Sequence, residues 1–368
     1  MERSSQIIFI LIIFSLHLTF IIGSNNNNNN NVEAIFIFGD SIFDAGNNHY
    51  KPNCTIQADF APYGSKFFHH PTGRFTNGRT VADFMSQYLE IPLQKPFMEL
   101  QLEIMKGAPK SYPTNGINFA SAGSGVLRAT SNGGSGATPI QEQLQQFQKL
   151  VDQNLIDKKL VKESLFFFES GTNDIFSYFY APTITREAYV QSMLIEVRHF
   201  VDTICKLGAR RVVLFALGPG GCVPARTTFR GGPLTKCYGK MNKMVKAYNM
   251  ALENIVLRDL GARYPGVVMV YGDVYKTFKI FRDDPKRYGF ANVDSACCGY
   301  GKLGGELQCG KKNYTLCKNP DDHFFWDLVH PSERANKLIS KALWAGDHNH
   351  SRPFNLKRLS NMTLPDHI

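Results

Sequence analysis

The 368-residue chain is long enough for one large domain or two ordinary ones, and 43% hydrophobic with 12% aromatic content excludes a disordered or fibrous protein. Its net charge is +10, yet the basic residues are scattered with no run interleaved with aromatics, which argues against nucleic acid as a partner. The positive excess suits ionic retention on an acidic cell-wall polysaccharide or another anionic surface, and it identifies no substrate.

The chain opens with polar Glu2 and Arg3, an apolar run from Ile7 to Ile22, and small residues Gly23 and Ser24. That three-part layout reads as a secretory signal peptide over residues 1–24. The apolar run is interrupted by Ser15, His17 and Thr19 and is shorter than the roughly 20 residues that span a bilayer. No later run is longer, so the expectation is a secreted protein with no transmembrane segment. Asn25 to Asn31 form a polar tract read as a disordered leader. One domain is expected over 32–353, followed by a C-terminal tail, 354–368.

Strand and helix patterns then alternate. Ala34 to Phe38 is a five-residue apolar strand running into Gly39-Asp40-Ser41 and a Gly/Asn-rich loop. Thr80 to Leu89 reads as a helix. Asn115 to Ala120 leads to the small-residue loop Ser121-Ala122-Gly123-Ser124-Gly125, and Gln141 to Val151 is amphipathic with helical spacing. Leu165 to Phe168 is a buried strand ending in Gly171-Thr172-Asn173-Asp174, and the aromatics Phe176, Tyr178, Phe179 and Tyr180 read as loop residues for which core packing is favoured over the rim or the lining of an acyl or aryl groove. Helices are expected at Tyr189–Leu207, Lys240–Leu260 and Ser332–Trp344, and strands at Arg211–Leu217 and Val267–Tyr271. Apolar strands alternating with helices predict a parallel sheet covered on both faces.

Secretion makes two further patterns coherent. Asn53, Asn313, Asn349 and Asn361 head Asn-x-Ser/Thr sequons, candidate glycan sites on the surface. The eight cysteines are even in number, as disulfides require, but allow 105 pairings. Cys205 sits inside an expected helix as a buried free thiol. The other seven lie in loops, so at least one of those also lacks an intramolecular partner. A zinc site at Cys297, Cys298, Cys309 and Cys317 is the weaker reading, because adjacent cysteines do not make paired Cys-x-x-Cys hooks.

Four loops stand at the ends of predicted strands: those around Ser41, Gly123, Asn173 and Asp327–His330. Taken singly, Gly-Asp-Ser is a common turn and Asp-x-x-His a common helix start. Together they supply what acyl transfer needs. Ser41 is the candidate nucleophile, His330 the base, and Asp327 the group that fixes the imidazole tautomer. The backbone N–H groups of Ser41 and Gly123 and the side-chain amide of Asn173 are the candidate oxyanion donors. No Gly-x-Ser-x-Gly pentapeptide occurs, which disfavours a nucleophile elbow. Gly299-Tyr300-Gly301-Lys302-Leu303-Gly304 matches a dinucleotide fingerprint only formally, since it follows a double cysteine rather than a strand.

Phe38-Gly39-Asp40-Ser41, Asn118 to Gly123, Gly171-Thr172-Asn173-Asp174 and Asp327-Leu328-Val329-His330-Pro331 resemble, in order, four blocks of the GDSL esterase/lipase family within the SGNH hydrolase superfamily. Pro71 to Arg79, Gly218-Pro219 before Gly221-Cys222-Val223-Pro224, Ala296-Cys297-Cys298-Gly299 and Phe325-Trp326-Asp327 resemble its plant branch, and the resemblance spans roughly residues 32–353. It implies a flavodoxin-like three-layer α/β/α fold and a secreted, glycosylated carboxylic-ester hydrolase with no metal or organic cofactor. It also implies Ser41, His330 and Asp327 as the catalytic set, with Gly123 and Asn173 as oxyanion donors. Many relatives have two successive glycines where this chain has Gly123-Ser124-Gly125, so Gly125 is the alternative to Gly123. An acyltransferase using the same acyl-enzyme and a non-catalytic wall or carbohydrate-binding glycoprotein are the competing functions. Acylglycerols, cutin-type polyesters, acetylated polysaccharides and phenolic esters all remain as substrate classes.

Overall fold

Apolar runs become the strands of one sheet. A computed structural model describes residues 32–131, 134–227, 229, 232–233, 235–259 and 263–364; the expected signal peptide and the asparagine tract lie outside the described residues. The strands are β1 (Ile35–Gly39), β2 (Lys95–Pro96), β3 (Ile117–Asn118), β4 (Leu165–Glu169), β5 (Arg211–Phe215) and β6 (Val268–Gly272), with Ser351–Arg352 as an edge strand. Their order is edge strand, β6, β5, β4, β1, β3, β2, all parallel except the antiparallel edge strand. In register, Phe38 lies beside Phe168, Phe168 beside Leu214 and Leu214 beside Tyr271. β1 is flanked by later strands on both sides, so its C-terminal end is the point at which the winding reverses and a crevice opens.

Both faces of this sheet are buried, so polarity does not alternate along the strands, but the side chains still do. Phe36 and Phe38 of β1 and Phe168 of β4 meet Phe147 and Phe200, which sit on the helices Ile140–Asp152 and Arg186–Lys206. On the opposite face, Phe167 and Phe215 pack with Phe43. The helices Val81–Tyr88, Val274–Asp283 and Glu333–Ala345 cover that side. The result is the expected three-layer α/β/α arrangement around a mostly parallel sheet.

Some elements depart from the sequence reading. The aromatics after Asn173 belong to a helix, Thr172–Tyr180, that starts directly off β4 with Gly171 at φ 132° as its cap. Its aromatic composition is that of a strand or core segment, and it is held by packing of Phe176 on Phe229 and Tyr178 on Tyr189. Helices Phe97–Met105, Lys158–Glu163 and Val274–Asp283 also went unread. The strand before Asp327, His323–Phe325, pairs with Asn292–Ala296 in a separate two-stranded sheet. Residues 356–360, set apart in the sequence as a tail, form a helix with Leu356 and Leu359 fully buried. Among the described residues no helix is long and apolar enough to cross a membrane.

Disulfides join Cys222 to Cys237, Cys297 to Cys317 and Cys298 to Cys309, leaving Cys54 and Cys205 as buried free thiols. Cys297 and Cys317 approach His323 closely, but an oxidised pair offers a metal no thiolate.

Arg74 links the active edge to this frame. Its guanidinium donates to both oxygens of Asp83 at 2.9 Å and to the carbonyl of Ala45 at 3.0 Å, with all three residues buried. Removing one partner of such a buried pair leaves the other charge uncompensated. Arg74→Ala is therefore expected to lower the unfolding free energy by about 3–5 kcal/mol, read from denaturant midpoints.

Candidate active site

β1 delivers Ser41 to the crevice through a tight turn. Gly39 has φ 155°, and a Cβ there would lie 2.3 Å from the carbonyl oxygen of Glu169, so only glycine lets β1 and β4 run this close. Asp40 then organises a single helical turn: its carbonyl accepts from the N–H groups of Phe43 and Asp44, and its carboxylate accepts from the Ile42 N–H at 3.0 Å. Ser41 is left half-exposed on the crest of that turn. Behind it, Asp40 and Glu169 are bonded carboxyl to carboxyl. Burial, then the neighbouring Asp40 charge, pushes Glu169 well above the ordinary range, and burial also raises Asp40, so the two share a proton.

The opposite wall brings His330. Its Nε2 lies 2.7 Å from Ser41 Oγ, and its Nδ1 lies 2.8 and 2.9 Å from the two oxygens of Asp327. Asp327 has no solvent exposure and accepts further bonds from the N–H groups of Val329 and His330 and from the Tyr63 hydroxyl at 2.6 Å. Burial alone would raise its pKa. The imidazole and these donors outweigh burial and hold it below the ordinary carboxylate value. The Phe75 ring packs on the imidazole at 4.9 Å, Thr76 Oγ1 donates to the Pro331 carbonyl, and Asn77 Oδ1 accepts from the Glu333 N–H. The block Arg74 to Arg79 is thus a brace for the histidine loop.

The third wall carries the candidate donors. Gly123 has φ 80°, and a Cβ on it would meet Ile56 Cδ1 at 2.3 Å. Among the described residues, neither the Ser41 nor the Gly123 backbone N–H has a protein partner, and both residues are half-exposed. The Gly125 N–H is instead directed at Ser131 Oγ at 3.3 Å, and Gly125 is buried. Asn173 sits at the start of its helix with Nδ2 donating to the Ser124 carbonyl at 2.8 Å and to Asp40 at 3.2 Å. The sequon residues Asn53, Asn313, Asn349 and Asn361 lie elsewhere, all four exposed.

Several supporting residues were not singled out from the sequence. Asp44 accepts from the N–H groups of Gly46, Asn47 and Ala122. Asn47 Nδ2 donates to the carbonyls of Asn118 and Ala120, and Asn48 Nδ2 to that of Ala122. Asp174 gathers Val126 N–H, Leu127 N–H and the Thr130 hydroxyl. These side chains sew the Ser41 turn, the Gly123 loop and the Asn173 helix into one unit. The available signal was the density of Asp and Asn just beyond apolar strands, where a buried polar group must find partners.

A serine hydroxyl, an imidazole and a buried carboxylate in hydrogen-bonded series, at the reversal point of a doubly wound sheet, define a serine hydrolase of the α/β/α class. Residues 35–343 match the family model described as GDSL-like Lipase/Acylhydrolase, and the chain belongs to the GDSL esterase/lipase family. It is 58% identical over 332 residues to GDSL esterase/lipase 6 of Arabidopsis thaliana, covering 89% of this chain and 91% of that one. It is 34% identical over 334 residues to GDSL lipase of Tanacetum cinerariifolium, covering 89% and 87%. A solved chain from Parabacteroides merdae aligns at 12% identity and TM-score 0.36 over 84% of this chain and 93% of its own, too loosely to carry an argument. The membership makes this protein a carboxylic-ester hydrolase.

The buried braces have a thermodynamic signature. Burial raises Asp44 and Asp174 to about 6, against the several donors that oppose it. The folded state thus binds their protons more tightly than the unfolded chain, so their contribution to stability is complete below the unfolded value and is lost as pH rises through about 6. Between about pH 4 and about pH 7 their share of the stability is expected to fall, and Asp174→Asn should flatten that slope, as followed by denaturant midpoints at each pH.

Proposed function

We propose that the protein is a secreted serine ester hydrolase that works through a Ser41 acyl-enzyme. His330 Nε2 takes the Ser41 proton as Oγ attacks the ester carbonyl, and returns it to the departing alcohol. Water then attacks the acyl carbon as His330 takes its proton, and His330 returns that proton to Ser41 Oγ as the Oγ–acyl bond breaks and the acid leaves. Asp327 stays ionised, orients the imidazole and stabilises its cationic form. The backbone N–H groups of Ser41 and Gly123 hold the developing oxyanion, with Asn173 as the third donor once the oxyanion replaces its longer bond to Asp40. The observation that carries this reading is the continuous series from Ser41 Oγ to His330 at 2.7 Å and from His330 to Asp327 at 2.8 Å. The unpaired Gly123 N–H, against the engaged Gly125 N–H, favours Gly123 over Gly125 as the donor.

Three disulfides, four exposed sequon asparagines and the signal-type N-terminus support secretion with glycosylation. The net charge of +10 supports ionic retention on an acidic cell-wall polysaccharide.

The secreted protein is expected to hydrolyse p-nitrophenyl acyl esters and to be labelled by a fluorophosphonate, and Ser41→Ala to abolish both. Asn173→Ala should lower kcat about 10²- to 10³-fold, the effect of losing one oxyanion donor. Wild-type protein that neither turns over esters nor takes the label would overturn the reading.

A further inference from the structure

Beneath the Ser41 turn the core leaves an apolar cavity of about 80 Å³. Ile42, Phe215, Gly218, Val274, Phe278 and Ile339 are among its walls. Ile42, Pro331 and Asn336 also line the small crevice that holds Ser41 and His330, so the two spaces share a wall. Ile42, Gly218, Val274 and Pro331 are half-exposed and form the rim, while the aromatic walls deeper in are fully buried. A void of this kind inside an otherwise close-packed core forgoes the contacts its lining could make.

We infer that this cavity is the acyl pocket, and that it selects aliphatic acyl chains of about six to nine carbons. The inference rests on the ester-hydrolase reading and adds the substrate class to it. One water-sized group occupies about 10–15 Å³ of such a space, so about 80 Å³ takes about five to eight methylene-sized groups beyond the carbonyl carbon. The lining offers little to a sugar or a phenol. Its one acid is Glu169, which shares a proton with Asp40 and so presents no separate charge. Each methylene buried there should raise kcat/KM about fourfold until the pocket is full, after which the gain stops.

Gly218 provides a clean probe. A Cβ placed on it meets only Val274 Cγ1, at 4.0 Å, and its backbone is not left-handed, so a side chain can enter the cavity without straining the chain. The experiment measures kcat/KM for acetyl, butyryl, octanoyl and palmitoyl p-nitrophenyl esters in wild type, Gly218→Leu and Val274→Ala. It also measures octanoate binding by calorimetry to Ser41→Ala with and without Gly218→Leu. The expected result is a wild-type optimum near octanoyl and an octanoyl-to-acetyl ratio that falls at least tenfold in Gly218→Leu. Val274→Ala should move the optimum to longer chains, and Ser41→Ala should bind octanoate in a way that Gly218→Leu abolishes. Ester turnover whose chain-length ratio is the same in wild type and Gly218→Leu would overturn the pocket and leave the hydrolase standing. Octanoate binding lost in Gly218→Leu, with no turnover of any ester by wild type, would keep the pocket and overturn the hydrolase.

Discussion

An ionised aspartate with no solvent exposure is the constraint around which the rest of this site is arranged. Taking a carboxylate out of water costs several kcal/mol even after relaxation, and only close donors on every side offset it. Asp327 finds them in the His330 ring, two backbone N–H groups and the Tyr63 hydroxyl. Tyr63 can stand there because it belongs to a second, small core with Ala58, Phe75, Trp326 and the cysteines 297, 298 and 309. Through Tyr63 and Trp326 that core supports Asp327 and the His330 ring bonded to it. The N–H groups of Cys297 and Cys298 donate to the carbonyls of Phe325 and Trp326, immediately before Asp327.

Ser41 is positioned by the other core. β1 is buried from Ile35 to Gly39, with Phe36 packed on Phe166 and Phe38 on Phe119. The turn at its end is then sewn to the Gly123 loop by Asp44, Asn47 and Asn48, and to β4 by the carboxyl pair Asp40–Glu169. Gln143 completes the set, exchanging hydrogen bonds with both the N–H and the carbonyl of Gly39. Ser41 and His330 then meet at 2.7 Å. Arg74 and the residues up to Arg79 bridge them, touching Ala45 on one side and Pro331 and Glu333 on the other.

Much of this was legible in the residues. Apolar runs located β1, β4, β5 and β6, and the chemistry of Ser41, Asp327 and His330 singled them out, because acyl transfer needs those side-chain types together. What escaped was whatever depends on distant pairing. Tyr63 acts on a residue 264 positions away, and Ala122 on Asp44 across 78, so neither contact has a local signature. The helix Thr172–Tyr180 was hidden by its own composition, since tertiary packing there overrides a weak intrinsic preference. The strand ahead of Asp327, His323–Phe325, pairs outside the main sheet, and a strand of three residues carries no information about its partner. Gly123 and Gly125 differ in that a neighbouring hydroxyl, Ser131, engages the Gly125 N–H, a contact with no signature in the glycine loop itself.

The double cysteine gives the molecule a dependence on where it is made. Each of Cys297 and Cys298 is cross-linked a short way downstream, and both hold the backbone that leads into Asp327. The strands of the main sheet carry no cysteine. A chain synthesised in a reducing cytosol would therefore keep the frame behind Ser41 while losing two ties on the arm that carries Asp327 and His330. Such material would look folded by its secondary structure and still be chemically idle. The double cysteine thus ties the geometry around Asp327 to the redox state in which the chain folds.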